Sequence, residues 1–150
     1  IKYNNSKFLL ESVAKNTAPA IALACMELDA EDIVLVTPSD HLIKNEIEYK
    51  QVVHKAKELA GQNNLVTFGI KPTEANTGYG YIESNNLDVI KFHEKPDLET
   101  AKEYLAKGNY FWNSGMFCFK AGVFLDELQK HSSKVFVSVK KAYENKKVND

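Results

Sequence analysis

Short apolar runs alternate along this chain with stretches of helical periodicity, the pattern of an α/β domain with a largely parallel sheet. Phe8-Leu9-Leu10 reads as a brief strand ending at Glu11. Ala18 to Leu28 follows as a helix. Thr17 is placed to cap it, Pro19 sits in the first turn where a missing N–H is harmless, and Ile21, Ala24, Cys25 and Leu28 share one apolar face. Ile33-Val34-Leu35-Val36 is apolar without alternation, as in a strand covered on both faces, and Pro38 stops it because it cannot donate to a ladder. A helix over Glu46 to Ala60, closed by Gly61, and a strand over Leu65 to Ile70 complete this half.

From Lys71 the pattern changes. Pro72 and Gly78 bracket a turn, and two strands near Tyr79–Glu83 and Val89–His93 flank Asn85-Asn86, which predicts an antiparallel hairpin. Asp97 caps a third helix that ends at Gly108, Phe117-Cys118-Phe119 is a further buried strand, and the remainder from Ala121 reads as helical. With no internal repeat, low-complexity segment or dividing linker, residues 1–150 read as one domain, long enough to bury a core.

Composition narrows the function classes. Apolar residues make up 44% and charged residues 26%, and 19 Lys and Arg stand against 20 Asp and Glu. That balance leaves no basic stripe for nucleic-acid phosphates. The best apolar stretch, Ala18 to Leu28, is broken by Glu27 and falls short of the roughly 20 residues that span a bilayer. Cys25 and Cys118 sit far apart in apolar surroundings, so they read as buried small hydrophobes of a reducing cytoplasm rather than a disulfide framework. The first residues lack the apolar core of a secretory leader and there is no initiator Met, so the chain is expected to be a piece of a longer protein.

Candidate chemistry gathers at strand ends. Asp40 lies just past the carboxyl end of the Ile33–Val36 strand, where open α/β sheets bind ligands, and is suited to a magnesium ion that also takes substrate phosphates; a turn or cap Asp is the alternative. His41 beside it reads as structural. Asn16 and Thr17 open a helix whose free N–H groups suit a nucleotide, although capping alone also explains Thr17. Gly78-Tyr79-Gly80-Tyr81-Ile82 lacks the third glycine of a dinucleotide fingerprint and precedes no helix; read as a strand, it puts Gly78 and Gly80 on one face, open to close approach by a sugar ring or to a bulge.

Glu94 aligns with Ile90 and Phe92 on a face that should be covered, where a carboxylate needs partners such as sugar hydroxyls. Lys95 is a natural phosphate contact or else a surface ion-pair partner. Asn113, beside a glycine at the entrance to a buried strand, offers an amide or simply a turn. The four histidines, His41, His54, His93 and His131, share no zinc spacing, and there is neither a Gly-x-Ser-x-Gly elbow nor a Walker loop. The Lys-rich stretch from Lys140 to Lys147 reads as a solvated helix face.

Taken in order, Asn16-Thr17-Ala18-Pro19-Ala20-Ile21-Ala22, Pro38-Ser39-Asp40-His41, Val66 to Thr73, Thr77-Gly78-Tyr79-Gly80-Tyr81-Ile82, Phe92-His93-Glu94-Lys95-Pro96 and Trp112-Asn113-Ser114-Gly115-Met116-Phe117 resemble the bacterial mannose-1-phosphate guanylyltransferase family. The resemblance implies a Rossmann-like nucleotidyltransferase fold, with a mixed, mostly parallel sheet flanked by helices and truncated at both ends. It also implies a magnesium-dependent reaction in which mannose 1-phosphate attacks the α-phosphate of GTP, giving GDP-mannose and pyrophosphate. By the same resemblance Asp40 would be a Mg2+ ligand at the nucleotide site, Asn16 and Thr17 would line that site, Gly80, Glu94 and Asn113 would hold the mannose, and Lys95 its phosphate.

Some family features are missing from this stretch of sequence: a glycine-rich loop with a basic residue, the Pro-Lys-Gln-Phe-like segment after it, and a second metal-binding Asp in a Trp-x-Asp-x-Gly stretch. Ser12 stands where Pro is usual, and Lys15 where Arg is also common. The expectation is an active cytoplasmic full-length protein, open to homo-oligomerisation, and a fragment with negligible transferase activity of its own. Three readings compete with it: a nucleotidyltransferase for another sugar or base, a non-catalytic nucleotidyltransferase-like regulatory subunit, and a glycosyltransferase, which should show an Asp-x-Asp pair where Ser39-Asp40-His41 offers one acid.

Overall fold

A computed structural model describes residues 7–11, 13 and 15–147. Along the described residues run α1 (Thr17–Cys25), β1 (Ile33–Val36), α2 (Glu46–Gly61), β2 (Val66–Ile70), β3 (Tyr81–Asn85), β4 (Asp88–His93), α3 (Leu98–Lys107), β5 (Tyr110–Lys120), α4 (Ala121–His131) and α5 (Ser133–Glu144). The sheet order is β1-β5-β3-β4, with β2 also paired to β5. Both pairings of known register, β3 with β4 and β3 with β5, are antiparallel, which corrects the expectation of a mostly parallel sheet. The physical reason is local. β4 turns back on β3 through a two-residue connection, and α3 then returns the chain to the other edge of β3.

Packing divides the chain into two compact units. The first, a helical unit, comprises Ile1–Leu35, Asn45–Leu65 and Cys118–Asp150. Here α4 packs on α5 and α1 on both, around a core that includes Ile21, Ala22, Cys25, Ala56, Ala60, Cys118, Phe119, Ala121 and Val139. Small residues let backbones meet closely: a Cβ at Gly122 would come within 3.0 Å of the Ala30 carbonyl oxygen, which accepts the Gly122 N–H at 2.9 Å. Asn16, not Thr17, occupies the cap position of α1, and its side chain makes no capping bond; Thr17 is the first helical residue. Phe8-Leu9-Leu10 forms no strand; Phe8 and Leu10 are exposed, and three apolar residues without a partner ladder cannot satisfy a strand's backbone. The Ala121 stretch is two helices, broken at Ser132.

The second, a hairpin unit, comprises Val36–Lys44 and Val66–Phe117. Its core is aromatic: Tyr81 is fully buried and packs with Ala101, Tyr104 and Tyr110. Asn86 adopts φ 53° in the turn that pairs Asn85 with Asp88, the left-handed conformation an Asn tolerates best among non-glycine residues. A bulge between Glu83 and Ser84 skips Ile90 and shifts the register of β4. Asp97 caps α3 by accepting the Thr100 N–H at 2.8 Å, and Gly108 at φ 76° ends it.

Two burial expectations fail. Ile33 and Leu35 of β1 are exposed, and so are Ile90, Phe92 and the Glu94 side chain, because nothing among the described residues covers those faces. Gly78 lies in a bend before β3, so the expected two-residue alternation stops short of it: Tyr79 is half exposed while Tyr81 is fully buried. No described helix is long and apolar enough to cross a membrane. Both cysteines are free and buried, and burial pushes the Cys25 thiol up to about 11.

Candidate active site

Strand register assembles the site. Tyr81 pairs with His93 on β4 and with Trp112 on β5. In antiparallel ladders a step back on one strand is a step forward on its neighbours, so Gly80 falls level with Glu94 on one side and Asn113 on the other. The contacts agree. A Cβ on Gly80 would lie 3.2 Å from Glu94 Oε2 and 3.8 Å from Asn113 Cβ, and the Asn113 N–H donates to the Gly80 carbonyl at 2.8 Å. Glycine leaves that space to the Glu94 carboxylate.

Lys95 follows at φ 39°, a left-handed conformation costing about 1–2 kcal/mol for a residue with a Cβ. This break in the pleat, next to Pro96, leaves Lys95 Nζ 3.6 Å from Glu94 Oε1, with both side chains exposed. The Glu94 carboxylate thus stands against Gly80, with the Lys95 ammonium beside that carboxylate and the Asn113 Cβ on the other side of the glycine. Asn113 Oδ1 already accepts the Gly115 N–H at 3.1 Å, so its amide N–H groups are the donors left over. Gly115 takes φ 70°, and a Cβ there would sit 3.5 Å from Pro38 Cγ, which ties the loop after β1 to the same stretch of β5. Asp40, two residues beyond Pro38, is exposed and has no hydrogen-bond or ion-pair partner among the described residues. Asn16 and Thr17 belong to the helical unit, at the start of α1.

A metal is testable against the donor set. No group of three or more His, Cys, Asp or Glu able to hold an ion by themselves occurs among the described residues. Asp40 offers one hard carboxylate. That suits magnesium, which binds one or two carboxylates and completes its octahedron with phosphate oxygens and water.

Behind the row lies a cluster the sequence pattern did not single out. His93 Nε2 is 3.2 Å from Glu83 Oε2, and Tyr104 OH is 2.9 Å from His93 Nδ1. Tyr104 and Tyr110 stack at 4.0 Å. The hydrogen bond from His93, reinforced by Tyr110, holds Glu83 below the usual carboxylate range, while burial pushes the Tyr110 phenol up to about 12 and Tyr104 upward too. The available signal was alternation: His93 must face away from Glu94. Tyr81 OH accepts the Asn76 N–H at 3.1 Å and donates to the Asn76 carbonyl at 2.9 Å, closing the loop that carries Gly78 and Gly80. Trp112, against Tyr79 at 5.0 Å, buries an indole N–H that has no partner among the described residues.

The sequence model described as "Nucleotidyl transferase" matches residues 2–150. The chain is 47% identical over 149 residues to the xanthan biosynthesis protein XanB of Xanthomonas campestris pv. campestris, covering 95% of this chain and 32% of XanB. It is 44% identical over 148 residues to the mannose-1-phosphate guanylyltransferase RfbM of Salmonella typhimurium, covering 91% of this chain and 31% of RfbM. A crystal structure described as mannose-6-phosphate isomerase from Helicobacter pylori superposes with a TM-score of 0.86 at 51% identity, over 90% of this chain and 53% of that one. The chain therefore spans about a third of the length of these curated relatives.

Proposed function

The chain belongs to the nucleotidyl transferase family, and from that premise we propose that the full-length protein transfers GMP from GTP to mannose 1-phosphate, releasing pyrophosphate. The observation that carries this reading is the register-aligned row of Gly80, Glu94 and Asn113 with Lys95 at its edge. Such a row offers hydrogen bonds to ring hydroxyls from a carboxylate and an amide, while the glycine admits a ring against backbone. Lys95 supplies the positive charge a sugar phosphate needs. Relatives named mannose-1-phosphate guanylyltransferases support the choice of sugar and base.

In this reading an oxygen of the sugar phosphate forms a bond to the α-phosphorus of GTP while the bond to pyrophosphate breaks. No side chain needs to abstract a proton, because the nucleophile is already an anion. The protein's work is alignment and charge neutralisation. Glu94 and Asn113 fix the sugar and Lys95 offsets the repulsion between the two phosphates; Asn16 and Thr17 would be the nucleotide contacts of the helical unit, as the family resemblance implies. Asp40 would contribute a carboxylate to a magnesium ion, which when bound neutralises phosphate charge and steadies the leaving pyrophosphate.

The test is pyrophosphate release by the full-length protein with GTP and mannose 1-phosphate, set against glucose 1-phosphate and other nucleoside triphosphates. Preferred turnover of the mannose and guanine pair is expected. Preference for another pair would reassign the substrate, and ligand binding without turnover of any pair would point to a regulatory subunit.

A further inference from the structure

We propose that His93 is a positioning residue for the sugar phosphate: its ring, clamped between Tyr104 and Glu83, fixes the end of β4 and so sets where Glu94 and Lys95 stand. The inference rests on the sugar-phosphate reading of the row. His93 is the last residue of β4, one peptide before Glu94, and its carbonyl oxygen lies 3.7 Å from where a Cβ on Gly80 would be. The backbone of His93 therefore borders the site while its side chain, only 19% exposed, points into the aromatic core.

Both ring nitrogens are engaged. The Glu83 carboxylate can only accept, so Nε2 carries the proton and donates to it. In the neutral ring Nδ1 is left as the acceptor for the Tyr104 hydroxyl. Three elements grip one imidazole: β3 through Glu83, α3 through Tyr104, and β5 through the Tyr110 ring at a centroid distance of 5.7 Å. The other charges bearing on this cluster are Lys107, Glu103 and Asp97. Beyond His93 the strand ends and Lys95 turns to positive φ, so the ladder pairing of His93 with Tyr81 and the two bonds of its ring are the last holds on β4 before the two charged residues. A side chain that makes two directional bonds restrains the neighbouring Cα better than an apolar ring that makes none.

The experiment compares steady-state kinetics of the full-length protein with its His93→Phe, His93→Gln and Tyr104→Phe variants. Phe keeps the ring and loses both bonds. It is expected to raise KM for mannose 1-phosphate roughly ten-fold, the size typical of lost supporting hydrogen bonds, with KM for GTP and kcat within about two-fold. Gln supplies one acceptor and one donor and is expected to restore KM to within about three-fold of wild type, which a loss of bulk packing would not allow. Should His93→Phe fail to fold, Tyr104→Phe carries the test, with a smaller rise of about three-fold confined to the sugar phosphate. An unchanged sugar KM, equal rises in both KM values, or a Gln variant as poor as Phe would each overturn the inference. Wild-type protein that releases no pyrophosphate would instead bring down the functional reading, and this inference with it.

Discussion

Two parts of the hairpin unit meet ligands, in this reading, by different means. The row of Gly80, Glu94 and Asn113 is set by the register of three strands, so its geometry is a property of backbone hydrogen bonds. Asp40 stands in an exposed turn and has no partner among the described residues; Pro38, two residues before it, lies beside Gly115. A sugar, neutral and shaped by its hydroxyls, needs donors and acceptors at fixed spacing. A metal with phosphates brings its own charge and geometry, so one carboxylate on a turn can suffice.

The largest effect is expected on the turn. Asp40→Ala in the full-length protein should lower turnover by about 10²–10³-fold, the scale of several kcal/mol of charge stabilisation, while melting stays near wild type because the side chain is exposed. Turnover that survives at saturating magnesium would remove Asp40 from the metal site.

On the strand side the matching change is Gly80→Ala. The added methyl would sit 3.2 Å from Glu94 Oε2, the free end of an exposed side chain that can swing away. Stability should therefore fall by less than about 1 kcal/mol, while KM for mannose 1-phosphate rises roughly ten-fold as the carboxylate leaves its place. Gly61→Ala, at the end of α2 with nothing within 4 Å, is the control expected to leave KM unchanged and stability equal or slightly higher, because alanine favours the helix. If Gly80→Ala binds the sugar phosphate normally, the row is not its site.

The contrast also explains what could be read from the sequence. The hairpin at Asn85-Asn86, the Asp97 cap and the Gly108 stop depend on neighbours a few residues apart, and the structure has them. β1 occupies the predicted residues, yet its expected double cover depends on segments far along the chain, and a run of Ile and Val cannot say whether they arrive. Strand direction was misjudged for a similar reason, since apolar runs do not encode which neighbour they pair with. Gly80, Glu94 and Asn113 were visible singly because each is chemically odd for a strand end. Their alignment was not, because it needs the pairing of Tyr81 with both His93 and Trp112. The sequence tests His93 only as a metal ligand; its cluster is not legible there because its partners, Glu83 and Tyr104, join it across β3 and onto α3.

Removing the loop's closure tests whether register alone holds the row. Tyr81→Phe deletes a hydroxyl that makes two bonds to the Asn76 backbone and should cost about 1–2 kcal/mol in urea denaturation. If register governs, KM for the sugar phosphate should move less than in Gly80→Ala. A larger rise would mean that the 76–81 loop, and not the ladder, places Gly80.

The smallest effect, and the one that separates held from free carboxylates, concerns Glu83. Its carboxyl is lowered chiefly by the hydrogen bond from His93 and then by the Tyr110 phenol. A folded pKa below the unfolded value of about 4.3 gives stability that is fully present above that value and is lost as pH falls through the folded one. Wild type should therefore be more stable than Glu83→Gln at pH 5, and the gap between their urea midpoints should close progressively once pH falls below the unfolded value of about 4.3. Glu83→Gln keeps the shape and can still accept from His93, so a gap that stayed constant over that range would mean the ionised carboxylate contributes nothing to the clamp. In that event the row would rest on backbone register alone, and the difference between the strand side and the turn would lie wholly in the ladder.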